Sequence, residues 1–234
     1  MTDTLVPARR RGVELLDAPN TDPAIALRSL ADVGRCNRMF GGTSAVLSEL
    51  RPELRAAHDE RRPLRVLDVG TGLGDIPKCI RLAGRKMGVD VVTYGIELSH
   101  SLARAAQETD FLSVAANAMA LPFASASVDV VTCSQVLHHF EEPEALRLLR
   151  ELARVARRRV IVADIRRSWA AAAGLWLASW PLRFHPASRH DGVVSVLRGF
   201  RRDELAAIVE QATGRRPEAR DRRGFRVTAS WCTA

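Results

Sequence analysis

A short apolar run that breaks into alternate glycines constrains this chain more than any other feature. Leu64, Val66, Leu67 and Val69 supply the apolar content of a strand covered on both faces, and Gly70-Thr71-Gly72-Leu73-Gly74-Asp75 follows at once. Glycines at alternate positions let the backbone turn tightly and approach a ligand closely, because no Cβ intervenes. The spacing matters. A dinucleotide fingerprint, G-x-G-x-x-G, needs its third glycine where Asp75 stands. The pattern is instead an acid, Asp68, followed by G-x-G-x-G at a strand-to-helix turn.

The following segments repeat the strand-then-loop theme. Val89 to Ile96 is β-rich and ends in Glu97, 27 residues after Gly70. A carboxylate at that strand tip can accept both hydroxyls of a ribose, which points to a nucleoside ligand without naming it. The alternative is a solvated carboxylate capping the helix that starts at Ser99. A third strand, Phe111 to Ala115, precedes Asn117-Ala118 and Leu121-Pro122-Phe123. A fourth, Val128 to Cys133, leads into Ser134-Gln135-Val136-Leu137-His138-His139-Phe140.

In this order and at these intervals, the segments resemble the class I S-adenosylmethionine-dependent methyltransferases. The glycine loop is similar to their motif I. Asn117-Ala118 with Leu121-Pro122-Phe123 resembles their D-A-x-x-L-P-F segment, with Asn117 in place of the acid. Ser134 to Phe140 resembles the S-x-x-L-H-H-F form of the ubiquinone- and menaquinone-type branch. The resemblance implies a Rossmann-like three-layer α/β sandwich. Its seven-stranded, mostly parallel sheet would end in an antiparallel C-terminal hairpin, with N-terminal helices and a lid insertion. It also implies S-adenosylmethionine as cofactor, S-adenosylhomocysteine as product, and no metal. The cofactor residues carried over are Asp68, Gly70, Thr71, Gly72, Gly74, Asp75, Glu97, Leu98, Asn117, Ala118 and Ser134.

A chain of 234 residues with 47% apolar content can bury one sizeable core, so a single domain over 21–234 is expected. Strands are expected near 64–69, 91–96, 111–115, 128–133 and 158–163, and a closing antiparallel pair near 217–220 and 225–232. The turn between the last two falls on Asp221-Arg222-Arg223-Gly224. Helices are expected near 74–84, 99–108, 143–156 and 202–212. Thr21-Asp22-Pro23 signals a helix start, and another follows Gly41-Gly42. These cap helices, within 21–60, lie over the substrate cavity in the family; Asn37 and Arg38 either line it or sit on the surface. Residues 1–20 read as a flexible arm without an apolar secretory core.

Net charge is +8, and of 35 basic residues only Lys78 and Lys86 are lysine. A basic chain raises the question of a nucleic-acid partner. The arginines are dispersed, however, and a single tyrosine leaves no stacking platform for single strands. Arginine and alanine abundance is explained more simply by a GC-rich genome. Cys36, Cys79, Cys133 and Cys232 show no C-x-x-C pairing, which fits free thiols in a reducing cytoplasm and argues against a structural zinc.

Residues 165–200 occupy the place of the family's substrate lid. Trp169, Trp176 and Trp180 are spaced by seven and four and share one helical face. That face either packs on the core, walls a greasy substrate site or touches a membrane surface; the apolar stretch is too short to span a bilayer. Next come His185 to Gly192 and Val193 to Phe200, read as a preorganised polar loop. Val162 to Ser168, Arg189-His190-Asp191-Gly192 and Ser195 to Phe200 resemble a bacterial subgroup that occurs with type III polyketide synthases. The implied acceptor is a small hydrophobic aromatic: a phenol, resorcinol or quinol of polyketide or quinone type.

Methyl transfer to a phenol needs alignment and a base. The histidines His138, His139 and His190 are candidates, His139 and His190 foremost, with Asp191 or Asp164 orienting an imidazole. Arg166, Trp169, Arg189 and Asp191, with His138, Asn37 and Arg38, are the candidate substrate contacts. An RNA methyltransferase lacks support, since the N/D-P-P-[YF] signature of amino methylation is absent at the fourth strand. A non-catalytic nucleoside-binding protein is the reading from another class. Oligomeric state is left open.

Overall fold

The computed structural model describes residues 6–10, 12–17, 21–107 and 112–233. Its sheet comprises β1 (Leu64–Val69), β2 (Val91–Glu97), β3 (Leu112–Ala115), β4 (Val128–Ser134), β5 (Ala156–Ile165), β6 (Glu218–Arg222) and β7 (Arg226–Cys232). The strand order is β3-β2-β1-β4-β5-β7-β6. The first five strands run parallel, and β7 pairs antiparallel with both β5 and β6. This is the expected seven-stranded Rossmann-like arrangement. The central strands β1 and β4 are almost wholly buried, as strands covered by helices on both faces must be. Phe111 of the expected third strand and residue 108 of the expected helix lie outside the described residues.

Helices α1 (Pro23–Met39), α2 (Gly42–Asp59), α3 (Asp75–Lys86), α4 (His100–Gln107), α5 (Glu142–Val155), α6 (Trp169–Ser179), α7 (Pro186–Arg198) and α8 (Arg202–Thr213) complete the fold. Local chemistry sets several of the starts. Asp22 accepts the Ala24 amide at 2.8 Å ahead of Pro23, and Ser168 caps Ala170 at 3.2 Å. One apolar core joins Leu148, Leu149 and Leu152 of α5 and Leu205 and Val209 of α8 to Leu67, Val131 and Val160. A second, on the opposite face, joins Val46, Leu50 and Leu54 of α2 and Ile76 and Ile80 of α3 to Val66, Val130 and Ile161. The expected turn at 221–224 sits later, on Arg223-Gly224-Phe225, because Asp221 and Arg222 still pair with Val227 and Arg226.

Two expectations about the periphery give way. His185 to Arg198 is not a polar loop but α7, started by Pro186 and by the His185 side chain accepting the Ala187 amide at 3.3 Å. Gly192 lies where a Cβ would come within 2.8 Å of Leu175, so it lets α6 and α7 pack closely. The described part of the N-terminal arm is docked rather than loose. Leu15 and Leu16 donate their amides to Asp191 at 2.8 and 3.0 Å, and buried Arg167 donates to the Pro7 carbonyl at 2.7 Å.

The arginines are largely structural. Arg158 and Arg159 reach Glu53 at 3.0 and 3.2 Å; Arg167 forks onto Glu204 at 3.0 and 2.7 Å. Arg222 pairs with buried Glu49, which also accepts from Thr228 and Ser230 and so ties α2 to the C-terminal hairpin. Guanidinium–carboxylate pairing, bidentate for Arg167, accounts for these arginines within the fold.

Candidate active site

The glycine loop is built as its spacing requires. Gly70, Gly72 and Gly74 all have positive φ (73°, 53° and 74°), and a Cβ on Gly70 would lie 2.2 Å from Val136. The amides of Gly70 and Thr71 donate to the Ile96 carbonyl at 2.8 and 3.0 Å, which hangs the loop on the end of β2. Glu97 turns back toward it: its carboxylate accepts the Gly72 amide at 3.0 Å and the Leu98 amide at 2.9 Å.

Asp68 lies buried beneath the loop and accepts the Thr132 hydroxyl at 2.6 Å. Burial pushes its carboxyl up to about 7, against the pull of the Thr132 hydrogen bond, and the nearby Asp75 and Glu97 raise it further. Three acids thus surround one loop, a field that suits a cationic ligand. The Ser134 hydroxyl at the end of β4 is buried with no hydrogen-bond partner. Leu98 is 72% exposed beside the Glu97 carboxylate. Asn117 accepts the Met119 amide at 2.9 Å, so its side-chain oxygen serves a local turn as well as any ligand, and Ala118 packs against the core. The glycine cradle, the carboxylate at the β2 tip and the unsatisfied Ser134 hydroxyl together fit a nucleoside cofactor bearing a sulfonium.

A polar line runs from this loop to a cavity. Asp75, at the first turn of α3, accepts from Asn37 Nδ2 at 2.9 Å. The Asn37 oxygen accepts from Gln135, whose own oxygen accepts from buried Arg226 at 2.6 Å. Gln135 holds a left-handed backbone (φ 58°), uncommon for a residue other than glycine. Gln135 and Arg226 border a cavity of about 290 Å³. Its apolar wall includes Val33, Phe40, Ala171, Leu175, Phe184 and Phe225, and Glu14, Asp32 and Asp191 bring carboxylates to it. Asp32 accepts from Ser188 and the His185 amide, and Asp191 holds the arm. Burial pushes the Cys36 thiol in the wall up to about 11, so it stays protonated.

Beside the cavity, Glu14 meets the paired histidines. His138 is buried; its Nδ1 lies 2.7 Å from Asp164 Oδ1, and its amide donates to Asp164 Oδ2 at 3.1 Å. Its Nε2 stands 3.7 Å from Glu14 Oε1, and His139 Nε2 stands 3.9 Å from Glu14 Oε2. Burial alone would lower the His138 pKa, but Asp164 and Glu14 outweigh it and hold it up to about 9. Glu14 in turn is held below the usual carboxylate range: His138, His139 and Ser195 overcome its burial. Glu14 also accepts from Ser195 and Arg198 at 2.9 and 3.0 Å.

The other expected substrate contacts are scattered. His190 is half exposed, pairs with Asp191 at 2.8 Å and does not line the cavity. Arg166 pairs with Asp221 at 2.8 Å over the Phe225 ring, and Arg38 is exposed on α1. Arg189 donates to the Phe184 carbonyl and covers Trp180. The tryptophans share one face as their spacing predicts, but it is the outer one: Trp169, Trp176 and Trp180 are 41%, 49% and 56% exposed. The cavity takes Ala170, Ala171, Gly174 and Leu175 from α6 instead. Glu14, Asp32, Gln135 and Arg226 were not among the sequence candidates. Gln135 lay inside a recognised motif, but only its backbone conformation and partners mark it out.

Residues 67–163 match the family profile described as a methyltransferase domain. The matched stretch runs from β1 into β5 and takes in the glycine loop, Glu97 and Ser134. Over 134 residues the chain is 31% identical to an uncharacterized methyltransferase, YcgJ, of Bacillus subtilis. That match spans 53% of this chain and about half the length of the relative, 47%. Among solved structures, a SAM-dependent methyltransferase from Aquifex aeolicus superposes with a TM-score of 0.62 at 19% identity, covering 92% of this chain and all of that one. Magnesium protoporphyrin IX methyltransferase from Synechocystis, with bound S-adenosylhomocysteine, gives 0.55 at 18% identity, covering 86% of this chain and 84% of that one. These likenesses show the fold.

Proposed function

We propose that this chain is an S-adenosylmethionine-dependent methyltransferase whose acceptor is a small hydrophobic aromatic of phenolic, resorcinol or quinol type. The observation that carries the reading is the apolar cavity joined to the glycine loop through Asp75, Asn37, Gln135 and Arg226. Glu97 is suited to the ribose hydroxyls and Leu98 to the face of the base. Asn117 and Ala118 are suited to its edge, and Ser134 to the methionine portion. Gly70, Thr71, Gly72 and Gly74 give the close approach, and Asp75 and Glu97 favour the positive charge, joined by Asp68 as its raised carboxyl ionises. The cofactor supplies an activated methyl on sulfur. The chain's task is to align the acceptor in line with that bond, which can contribute on the order of 7–11 kcal/mol.

In the transfer the sulfur–carbon bond breaks as the methyl bonds to an acceptor oxygen or ring carbon, and the electron pair stays on sulfur. The acceptor's proton leaves at the Glu14–His138–His139 cluster, where Glu14 forms part of the cavity wall. His190, half exposed on a carboxylate committed to the Leu15 and Leu16 amides, takes no part in this scheme. The outward tryptophans flanked by Arg10 and Arg189 suit a lid that rests on an anionic membrane surface, from which a greasy acceptor can enter. Among the described residues no helix is long and apolar enough to cross a membrane. Four free cysteines are consistent with a reducing, cytoplasmic setting.

The test is transfer of label from methyl-labelled S-adenosylmethionine to alkylresorcinols, quinols and bulk tRNA, with organic and nucleic-acid fractions counted separately. Label in the organic phase is expected. Label confined to RNA, or tight cofactor binding with no transfer to any aromatic acceptor, would overturn the reading.

A further inference from the structure

We propose that Glu14, His138 and His139 form a mononuclear site for a divalent first-row transition metal, with Asp164 as its outer carboxylate. One ligand atom from each of the three residues lies within 4.8 Å of the others. The Glu14–His138 and Glu14–His139 separations are 3.7 and 3.9 Å. Ligands at about 2.0–2.1 Å around a tetrahedral ion are about 3.3 Å apart, so the two Glu14 edges must close by roughly half an ångström and the His138–His139 edge by up to about 1.5 Å. Glu14 sits on an irregular segment, which can supply that movement more readily than β4 or the turn after it.

The second observation is His138 itself. Its Nε2 is buried with no hydrogen-bond partner and faces the Glu14 carboxylate, while Nδ1 is held by Asp164 at 2.7 Å. A carboxylate on the far nitrogen of a buried imidazole fixes the ring and turns the other lone pair outward, the usual setting of a metal-bound histidine. Two imidazoles and one carboxylate are a donor set suited to zinc, iron or nickel and ill suited to magnesium or calcium, which prefer oxygen. Asp32 and Asp191, the other carboxylates of the cavity, are engaged by α7 and the arm and complete no such set. Three protein ligands leave a coordination position free. Because Glu14 belongs to the cavity wall, that position is available to an acceptor oxygen, and with the ion bound it would be the ion, in place of the free carboxylate and imidazoles, that promotes loss of the acceptor's proton. The ion would also fasten the arm to the β4 tip.

This inference rests on the methyltransferase reading only for what the ion does, not for whether it binds. The test therefore uses the full chain, freed of any histidine tag and stripped with chelator, without cofactor or acceptor. Zn²⁺ is titrated against a chromogenic competitor, and Co²⁺ is followed by its visible absorption. One ion per chain is expected, with affinity at least tenfold weaker in Glu14→Gln and in His139→Gln. Asp164→Asn should weaken it about 10–100-fold. Zinc should also slow tryptic cleavage after Arg9 and Arg10. His139 is part-exposed, so His139→Gln keeps the test usable if a buried substitution unfolds the chain. Binding no tighter in wild type than in the Glu14→Gln/His139→Gln chain, which would leave a proton as the only occupant, would overturn the site. So would a cobalt spectrum with thiolate character, which would locate the ion on cysteine.

Discussion

Asn37 of α1 donates to Asp75 at the start of α3, 2.9 Å away and 38 residues on, and so joins the cap helices to the glycine loop. A hydrogen bond to a charged group typically contributes about 1.5–3 kcal/mol. Asn37→Ala should therefore weaken S-adenosylmethionine binding about tenfold in calorimetric titration. An unchanged isotherm would mean that α1 covers the cofactor site without organising it.

Glu97 serves two masters, the loop amide of Gly72 and the ligand it is shaped to receive. Glu97→Ala should lower cofactor affinity at least tenfold while leaving the melting temperature within a few degrees of wild type. Equal affinity in the two proteins would return Glu97 to the role of a helix-capping carboxylate.

Asp68 gives a pH signature. Its folded pKa of about 7 stands above its ordinary 3.8, so the folded chain binds that proton more tightly than the unfolded one. Its contribution is complete below about pH 4, declines as pH rises toward 7 and is level above that. Asn at this position stays neutral. Urea unfolding should show Asp68→Asn gaining on wild type between pH 4 and 8, by on the order of 3 kcal/mol. A difference that does not vary with pH would show Asp68 to be ionised throughout.

The histidines divide by location. His190→Ala should keep nearly full turnover, because His190 is half exposed and its partner Asp191 is committed to the Leu15 and Leu16 amides. His139→Gln and Glu14→Gln should each lose about 10²-fold or more with cofactor affinity intact. The reverse pattern, measured with the acceptor found by label transfer, would move the chemistry to α7.

Trp176 and Trp180 face outward, their rings 5.9 Å apart edge to face. Replacing both by alanine should leave the melting temperature unchanged and reduce co-sedimentation with vesicles containing anionic phospholipid severalfold. Wild-type protein that stays in the supernatant would remove the membrane from the scheme.

The central fold was legible because its signals are local. An apolar run, three glycines and a terminal carboxylate each report on their own few residues, and β1, β2, β4 and α3 lie where these signals put them. What escaped depends on distant partners. Nothing near Glu14 in sequence hints at Ser195 or Arg198. Helical spacing grouped the tryptophans but is blind to which side of α6 meets the core. Gly192 and the polar run before it disguised α7, whose close packing on Leu175 tolerates glycine there. The glycine loop and the strand tips thus carried across directly, whereas the cavity beside them had to be seen assembled.

The docked arm has a consequence for the order in which the chain comes together. Pro7, Arg9, Glu14, Leu15 and Leu16 meet partners at Arg167, Asp191, Ser195 and Arg198, 160 to 189 positions later. During synthesis that segment must wait, undocked, until the chain has been extended through Arg198. Contacts of such long range close late. The Rossmann core, and with it the glycine loop, can therefore mature before the acceptor cavity has its Glu14 wall. A nascent chain passes through a stage with its glycine loop complete and the neighbouring cavity still open on the Glu14 side.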